Sequence, residues 1–294
     1  MTLFDQIIQY LFSGLTTGSI YAMIALGFCL IHNATGIVNF TQVDFVTLGG
    51  MMMYTFLTMI GLAMPAAFVL AVASVTIIGA LFELLAIRPA RSRDVIILIF
   101  ITIGASHFLR GFIKIFWGKS SMSLPPLTTN QPFIVMKAAV LPQSLWIFTI
   151  TVITVIFLHL FFTRTITGKA MRAASFNRRA AALAGINVGR MVMLSFALAG
   201  TLGALAGIMI VPISTLTYDV GVMLGLKGFA AAILGGYGNF YGAIIGGLAL
   251  GVVEALGAGL LSSTYKDVIA FVILLLVLFL RPGGIMGESE KARV

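Results

Sequence analysis

The sequence predicts an all-α polytopic membrane protein with about eight or nine transmembrane helices. Three observations lead there. Of the 294 residues, 60% are hydrophobic and only 9% are charged, whereas a soluble domain carries about 25% charged residues to cover its surface. The apolar residues fall into runs close to the length of about 20 that spans a hydrocarbon core. The basic residues behind the net charge of +9 collect in short links between those runs, as cytoplasmic loop charges do. The span 1–294 is therefore read as a single transmembrane domain with no room for a soluble catalytic unit. Because the positive charge follows the loops, it points to membrane lipid and not to nucleic acid.

Taken in order, the apolar runs cover about 6–31, 36–60, 62–87, 95–117, 144–163, 188–212, 220–236, 240–261 and 265–281. Met1 to Tyr10 includes Asp5 and has no basic lead-in, so the first helix is expected to stay and not to be cleaved as a signal. Arg88, Arg91 and Arg93 follow the third run, and Arg164, Lys169, Arg172, Arg178, Arg179 and Arg190 surround the link between the fifth and sixth. Arg281, Lys291 and Arg293 close the chain. The positive-inside rule puts all three groups, and the C-terminus, in the cytoplasm. The opposite loops agree: 118–143 is rich in Ser, Thr and Pro, and 262–267 is short and nearly neutral.

Two segments are irregular. Residues 33–44 place Asn33, Asn39, Gln42 and Asp44 where a second span should begin, and 219–242 combines Lys227 with many glycines in barely a membrane's length. Polar groups and broken backbone are tolerated at that depth only against protein or a watery cavity. One such segment in each half points to a transport pathway. If re-entrance in these segments removed a crossing, the count would fall to about eight and the N-terminus would move to the cytoplasmic side; the sequence leaves this open. Elsewhere Gly203 and Gly207, then Gly238, Gly242 and Gly246, then Gly247 and Gly251 put small residues at four-residue intervals. They are read first as close helix packing and second as pore-lining backbone.

Enzyme signatures are missing. His32, His107 and His159 lie far apart, and the one cysteine, Cys29, excludes an intrachain disulfide. A run ending Gly118-Lys119-Ser120 lacks the glycine that a phosphate-binding loop needs five positions earlier, where Ile113 stands. No catalytic residue, metal or cofactor is expected in this chain. Inside the membrane, Asn39, Gln42, Asp44, Lys227 and Glu254 are the groups expected to line or brace a path. Glu254 is equally readable as a buried partner of Lys227, and Asp44 as a cap on the second helix.

The link at about 164–190 is alanine-rich, strongly basic and too polar to cross, so a short helix broken at Gly185 is expected. One reading is a surface helix resting on anionic lipid. The segment also resembles the coupling loop of ABC-importer permeases of the branched-chain amino acid type, through Gly168, Arg172, Ala173, Asn177, Ala181, Gly185, Ile186, Asn187 and Arg190. The likeness extends along nearly the whole chain. It includes the opening Gly14-Leu-Thr-Thr-Gly-Ser-Ile-Tyr, the link Arg88-Pro-Ala-Arg, and the stretch from Lys227-Gly-Phe-Ala to Gly247 with Glu254 beyond it. One place departs: where the family reads Asn-Phe-Ala-His-Gly-Glu/Asp, this chain has Asn39-Phe40-Thr41-Gln42-Val43-Asp44. A neutral amide replaces an ionisable ring, which bears on the solute and not on the class of transporter.

The resemblance implies a type II-like importer permease in a bacterial inner membrane, carrying neutral or branched-chain amino acids or related small solutes. It implies a paralogous second permease, two cytoplasmic ATPases holding ATP and Mg, and an extracytoplasmic binding protein. Gly168, Arg172, Ala173, Asn177, Arg178, Ala181, Gly185, Asn187 and Arg190 would then meet the ATPase. The residues by themselves also admit a stand-alone secondary transporter or channel, with Asp44, Lys227 and Glu254 coupling an ion. A mere scaffold is disfavoured by the polar broken segments.

Overall fold

The computed structural model describes residues 3–90, 94–129, 131–135, 138–281 and 283–287. Arg91, Arg93, Lys291 and Arg293 lie outside the described residues. Seven of the described helices are long and apolar enough to cross a bilayer. They are α1 (Leu3–Thr35), α3 (Met64–Phe82, prolonged by a π turn, Glu83–Ile87), α4 (Val95–Trp117), α5 (Pro142–Arg164), α8 (Val188–Ile210, prolonged by the 3-10 turn Val211–Ile213), α10 (Phe240–Leu260) and α11 (Lys266–Leu280, led in by the 3-10 turn Ser263–Tyr265). Between them stand two shorter apolar helices: α2 (Gln42–Tyr54, prolonged by the π turn Thr55–Met59) and α9 (Val220–Gly235). The short polar helices α6 (Ile166–Phe176) and α7 (Arg178–Leu183) join α5 to α8. A hairpin, β1 (Phe133–Val135) with β2 (Ala138–Val140), interrupts the link that was expected to be plain loop.

The two ends of the bundle are set by what the connections touch. At one end Gln9, at the start of α1, bonds both ways to Ala139 of the hairpin, and Met122 pairs with Leu216 before α9. At the other end Asn33, closing α1, donates to the Gly238 carbonyl, Ile285 and Met286 bond back to the end of α9, and Arg88 reaches Gly189. The two irregular segments can be placed between these ends. Thr55 beyond α2 receives a hydrogen bond from Trp117 at the hairpin end of α4, and α9 runs from the Leu216 bridge to the Asn33–Gly238 tie. The segments holding both helices therefore pass from end to end, although α2 starts inside the bundle, where Phe40 N donates to Thr102 of α4, and the 16 residues of α9 rise only about 24 Å against a core of about 30 Å. Irregularity lies around α9, not within it.

Helix α1 is the axis: 89% of its apolar window is buried, against 6% for α11 and 17% for α4. A helix so enclosed needs small residues where others cross it, because lipid supplies no hydrophobic drive and close contact must hold the bundle. Gly14 and Gly18 of α1 meet the backbone of α10 around Gly247 and Gly251, with no space for a Cβ on either side.

Two sequence expectations need correction. The basic link forms two helices, because Asn177 is extended (φ −150°) and its side chain accepts from Ala180 N to start α7. Gly185 (φ +81°) then makes the turn into α8. Gly238 is not on the α10 face: it sits in the α9–α10 turn at φ +95°, a backbone region that side chains with a Cβ avoid.

Candidate functional site

The polar residues form three groups. The first is the elbow of α6 and α7. Thr165 caps α6 by accepting from Gly168 N at 3.0 Å, and Asn187 caps α8 by accepting from Arg190 N at 3.0 Å. Gly168 is buried where α6 doubles back on α5, and a Cβ there would meet Phe162 Cα at 2.7 Å. Ala181 is also buried, whereas Arg172, Ala173, Asn177, Arg178, Gly185, Asn187 and Arg190 are exposed. Arg178 donates to the Ala34 carbonyl at the end of α1, so the elbow is fastened to the bundle's axis. Exposed Phe176 and Leu183 stand among these arginines, giving the elbow a surface that is both cationic and apolar.

The second group lies at the start of α2. Asn39 Oδ1 accepts from the Thr41 amide and hydroxyl, which organises the non-helical entry. Gln42 is fully buried and donates to the Ala199 carbonyl of α8 at 3.1 Å, while Gly27 of α1 leaves the space its amide fills. Asp44 is also fully buried and faces Arg110 of α4, whose Nε stands 3.1 Å from its Oδ1. This is a charge contact and not an aligned hydrogen bond. Arg110 is steadied by donating to Ser106 at 2.7 Å. Gln42 and Asp44 thus brace α2 against three neighbouring helices.

The third group sits below the hairpin end. Lys227 Nζ contacts Glu254 Oε1 at 2.6 Å and Asp267 Oδ1 at 2.5 Å, and Tyr21 donates to Glu254 Oε2 at 2.9 Å. The cluster joins α1, α9, α10 and α11, and it floors a vestibule of about 820 Å³ that opens beside the hairpin. Apolar side chains such as Phe12, Leu141, Ile213 and Met223 share the walls with Ser13, Thr17 and Ser144.

The glycines act as packing points. A Cβ on Gly203 would meet Phe45 of α2, on Gly207 the Val46 carbonyl, on Gly242 the Gly235 carbonyl and on Gly246 the backbone of α9. Tyr21, Arg110 and Asp267 had not been singled out from the sequence. Arg110 and Asp267 carried the one available signal, a charge within or beside an apolar run; Tyr21 carried none.

Comparison with known proteins follows the same lines. Residues 10–278 match the family described as branched-chain amino acid transport system, permease component. The chain is 33% identical over 304 residues to the high-affinity branched-chain amino acid transport system permease protein LivH of Escherichia coli (strain K12), covering 99% of each chain. It is 34% identical over 301 residues to the corresponding protein BraD of Pseudomonas aeruginosa, covering 98% of each. A solved chain titled PsaBC from Streptococcus pneumoniae in complex with Fab aligns with a TM-score of 0.48 at 14% identity, covering 96% of this chain and 92% of that one. With a family match over most of its length and full-length relatives above 30% identity, the chain belongs to the family of branched-chain amino acid transport permease components.

Proposed function

We propose that this chain is a membrane-spanning permease subunit of an ATP-driven importer of branched-chain or related neutral amino acids, which an external binding protein delivers. The observation that carries the reading is its end-to-end similarity to LivH and BraD, together with the family match over residues 10–278. The elbow end, with Arg88, Arg164, Lys169, Arg172, Arg178, Arg179 and Arg190, lies in the cytoplasm. Ile285 and Met286, beyond α11, are bonded at that same end.

The chain works with a paralogous permease and two ATPases that hold ATP and Mg. Gly118-Lys119-Ser120 follows the end of α4, with Gly118 as its C-cap, and so is no strand-to-helix phosphate cradle. Force arrives instead at the elbow. Gly168 couples α6 closely to α5, and Arg178 holds α7 to the end of α1. A push there is carried by α1 to Tyr21 and Glu254 at the vestibule floor.

The test is reconstitution of the full complex in proteoliposomes with leucine as solute. Arg172→Glu is expected to leave insertion and assembly intact, keep ATP hydrolysis, and cut uptake roughly tenfold or more through charge reversal at a docking surface. Normal uptake by that variant would remove the coupling role. Robust gradient-driven uptake by this chain alone, without any ATPase, would overturn the importer reading.

A further inference from the structure

Lys227 is held by two carboxylates, and the two contacts differ. Its side chain is 4% exposed, that of Glu254 9%, and that of Asp267 38%. Glu254 is clamped a second time by the Tyr21 hydroxyl, and the Tyr21 ring lies beneath the ammonium at 5.8 Å. The Lys227–Glu254–Tyr21 unit is thus the fixed part, and Asp267, whose Oδ1 is buried against Lys227, is the member of the cluster most open to the vestibule. Breaking the Lys227–Asp267 contact alone exposes one ammonium and one carboxylate side by side at the cavity floor.

The complement of such a pair is a molecule bearing a carboxylate and an ammonium on one carbon atom. We propose that the vestibule floor is a receiving site for a zwitterionic α-amino acid. The solute's ammonium is taken by Asp267 and its carboxylate by Lys227, which Glu254 and Tyr21 keep in place. This rests on the import function proposed above and names the groups that take the solute inside this subunit. A zwitterion inserts into the pair with no change in net charge. One internal ion pair becomes two intermolecular ones, so no uncompensated charge is left at membrane depth. A singly charged anion at Lys227 would leave Asp267 without its counter-charge, and a cation at Asp267 would leave Lys227 with Glu254 alone and no carboxylate to take its second contact. The volume of about 820 Å³ suits a small ligand, and Phe12, Leu141, Ile213 and Met223 offer apolar wall to a branched side chain. Lys266 and Asp219, also on the lining, balance each other in charge.

The test uses the assembled permease–ATPase complex in lipid nanodiscs without the binding protein. Binding of leucine, of 4-methylpentanoate (no ammonium) and of 3-methylbutylamine (no carboxylate) is followed by saturation-transfer NMR on the methyl groups. Wild type is expected to bind leucine at least roughly tenfold more tightly than either analogue, and Asp267→Asn to erase most of that preference through loss of a charge-assisted contact. Asp267→Glu, which keeps the charge, should restore part of it. Size-exclusion profiles of both variants confirm assembly; if Asp267→Asn fails to assemble, the analogue comparison on wild type decides alone. Equal binding of leucine and the analogues, no leucine binding to wild type, or unchanged leucine preference in assembled Asp267→Asn would each overturn the site. ATP-driven leucine uptake by the same complex with its binding protein is scored separately. Uptake without the vestibule preference sinks the site and spares the importer reading. Absence of uptake sinks the importer reading, while the zwitterion preference still decides the site.

Discussion

Arg110 neutralises Asp44, a carboxylate with no exposure at the start of α2. Removing one partner of a buried ion pair leaves an uncompensated charge and costs about 3–5 kcal/mol, whereas replacing both by apolar groups is often close to neutral. Arg110→Leu should therefore lower the unfolding midpoint of the detergent-solubilised protein steeply. Asp44→Leu together with Arg110→Leu should recover most of that loss, as a double-mutant cycle of denaturation curves will read. If the double variant is as unstable as Arg110→Leu, the pair is not what holds α2. Glu254 was readable from the sequence as a partner of Lys227 because each is a charge inside an apolar run. Arg110 was passed over for the same feature, since nothing in sequence spacing says which of several intramembrane charges stands opposite Asp44. Tyr21 was invisible: an aromatic in an apolar helix has no mark that its hydroxyl reaches a carboxylate 233 positions away.

At the scale of elements, the long helices were legible because apolar length and membrane thickness are tied by helix rise. The hairpin was not, since three-residue strands in a Ser/Thr-rich link carry too few residues for alternation to register. The elbow's second break at Asn177 was also missed. Its signal was present, an asparagine suited to an N-cap, but it lay inside an alanine-rich run that favours continuous helix. Of the glycines the periodicity marks, Gly203, Gly207, Gly242 and Gly246 stand against neighbouring helices with no room for a Cβ, whereas Gly238 falls in a turn, since spacing alone cannot separate a helix face from the turn before it. Gly242 is the most telling of these, because a Cβ there would run into the Gly235 carbonyl of α9. Gly242→Leu should push α9 from α10 and pull Lys227 from Glu254. Overpacking of this kind costs about 1–3 kcal/mol, and the larger consequence is a mis-set ion pair. Fluorescence-detected size exclusion should show sharply reduced monodisperse protein, with Gly242→Ala intermediate. An unchanged profile for the leucine variant would mean that the α9–α10 seam is loose.

Among the described residues the chain makes an odd number of passes, since the segments holding α2 and α9 both cross from end to end and α1 begins at the end opposite the elbow. The sequence alone left about eight crossings open, with the N-terminus then on the elbow side; the ties Gln9–Ala139 and Asn33–Gly238 put the two ends of α1 at opposite ends of the bundle. Cysteine labelling can test this in cells, because the one native thiol, Cys29, is fully buried and adds little background. Ile134 on the hairpin is 77% exposed and Leu183 on the elbow is 91% exposed. With the basic elbow held inside, Ile134→Cys should react with a membrane-impermeant maleimide from the external side, whereas Leu183→Cys should react only after the membrane is opened. A cysteine replacing Leu3, at the start of α1 and 66% exposed, should behave as Ile134→Cys does. Labelling of that position only after permeabilisation would mean that one short helix turns back within the membrane. The Gln9–Ala139 tie could then not hold, since the start of α1 and the hairpin would face opposite sides, and the elbow and the cavity floor could not be the two ends of one lever through α1.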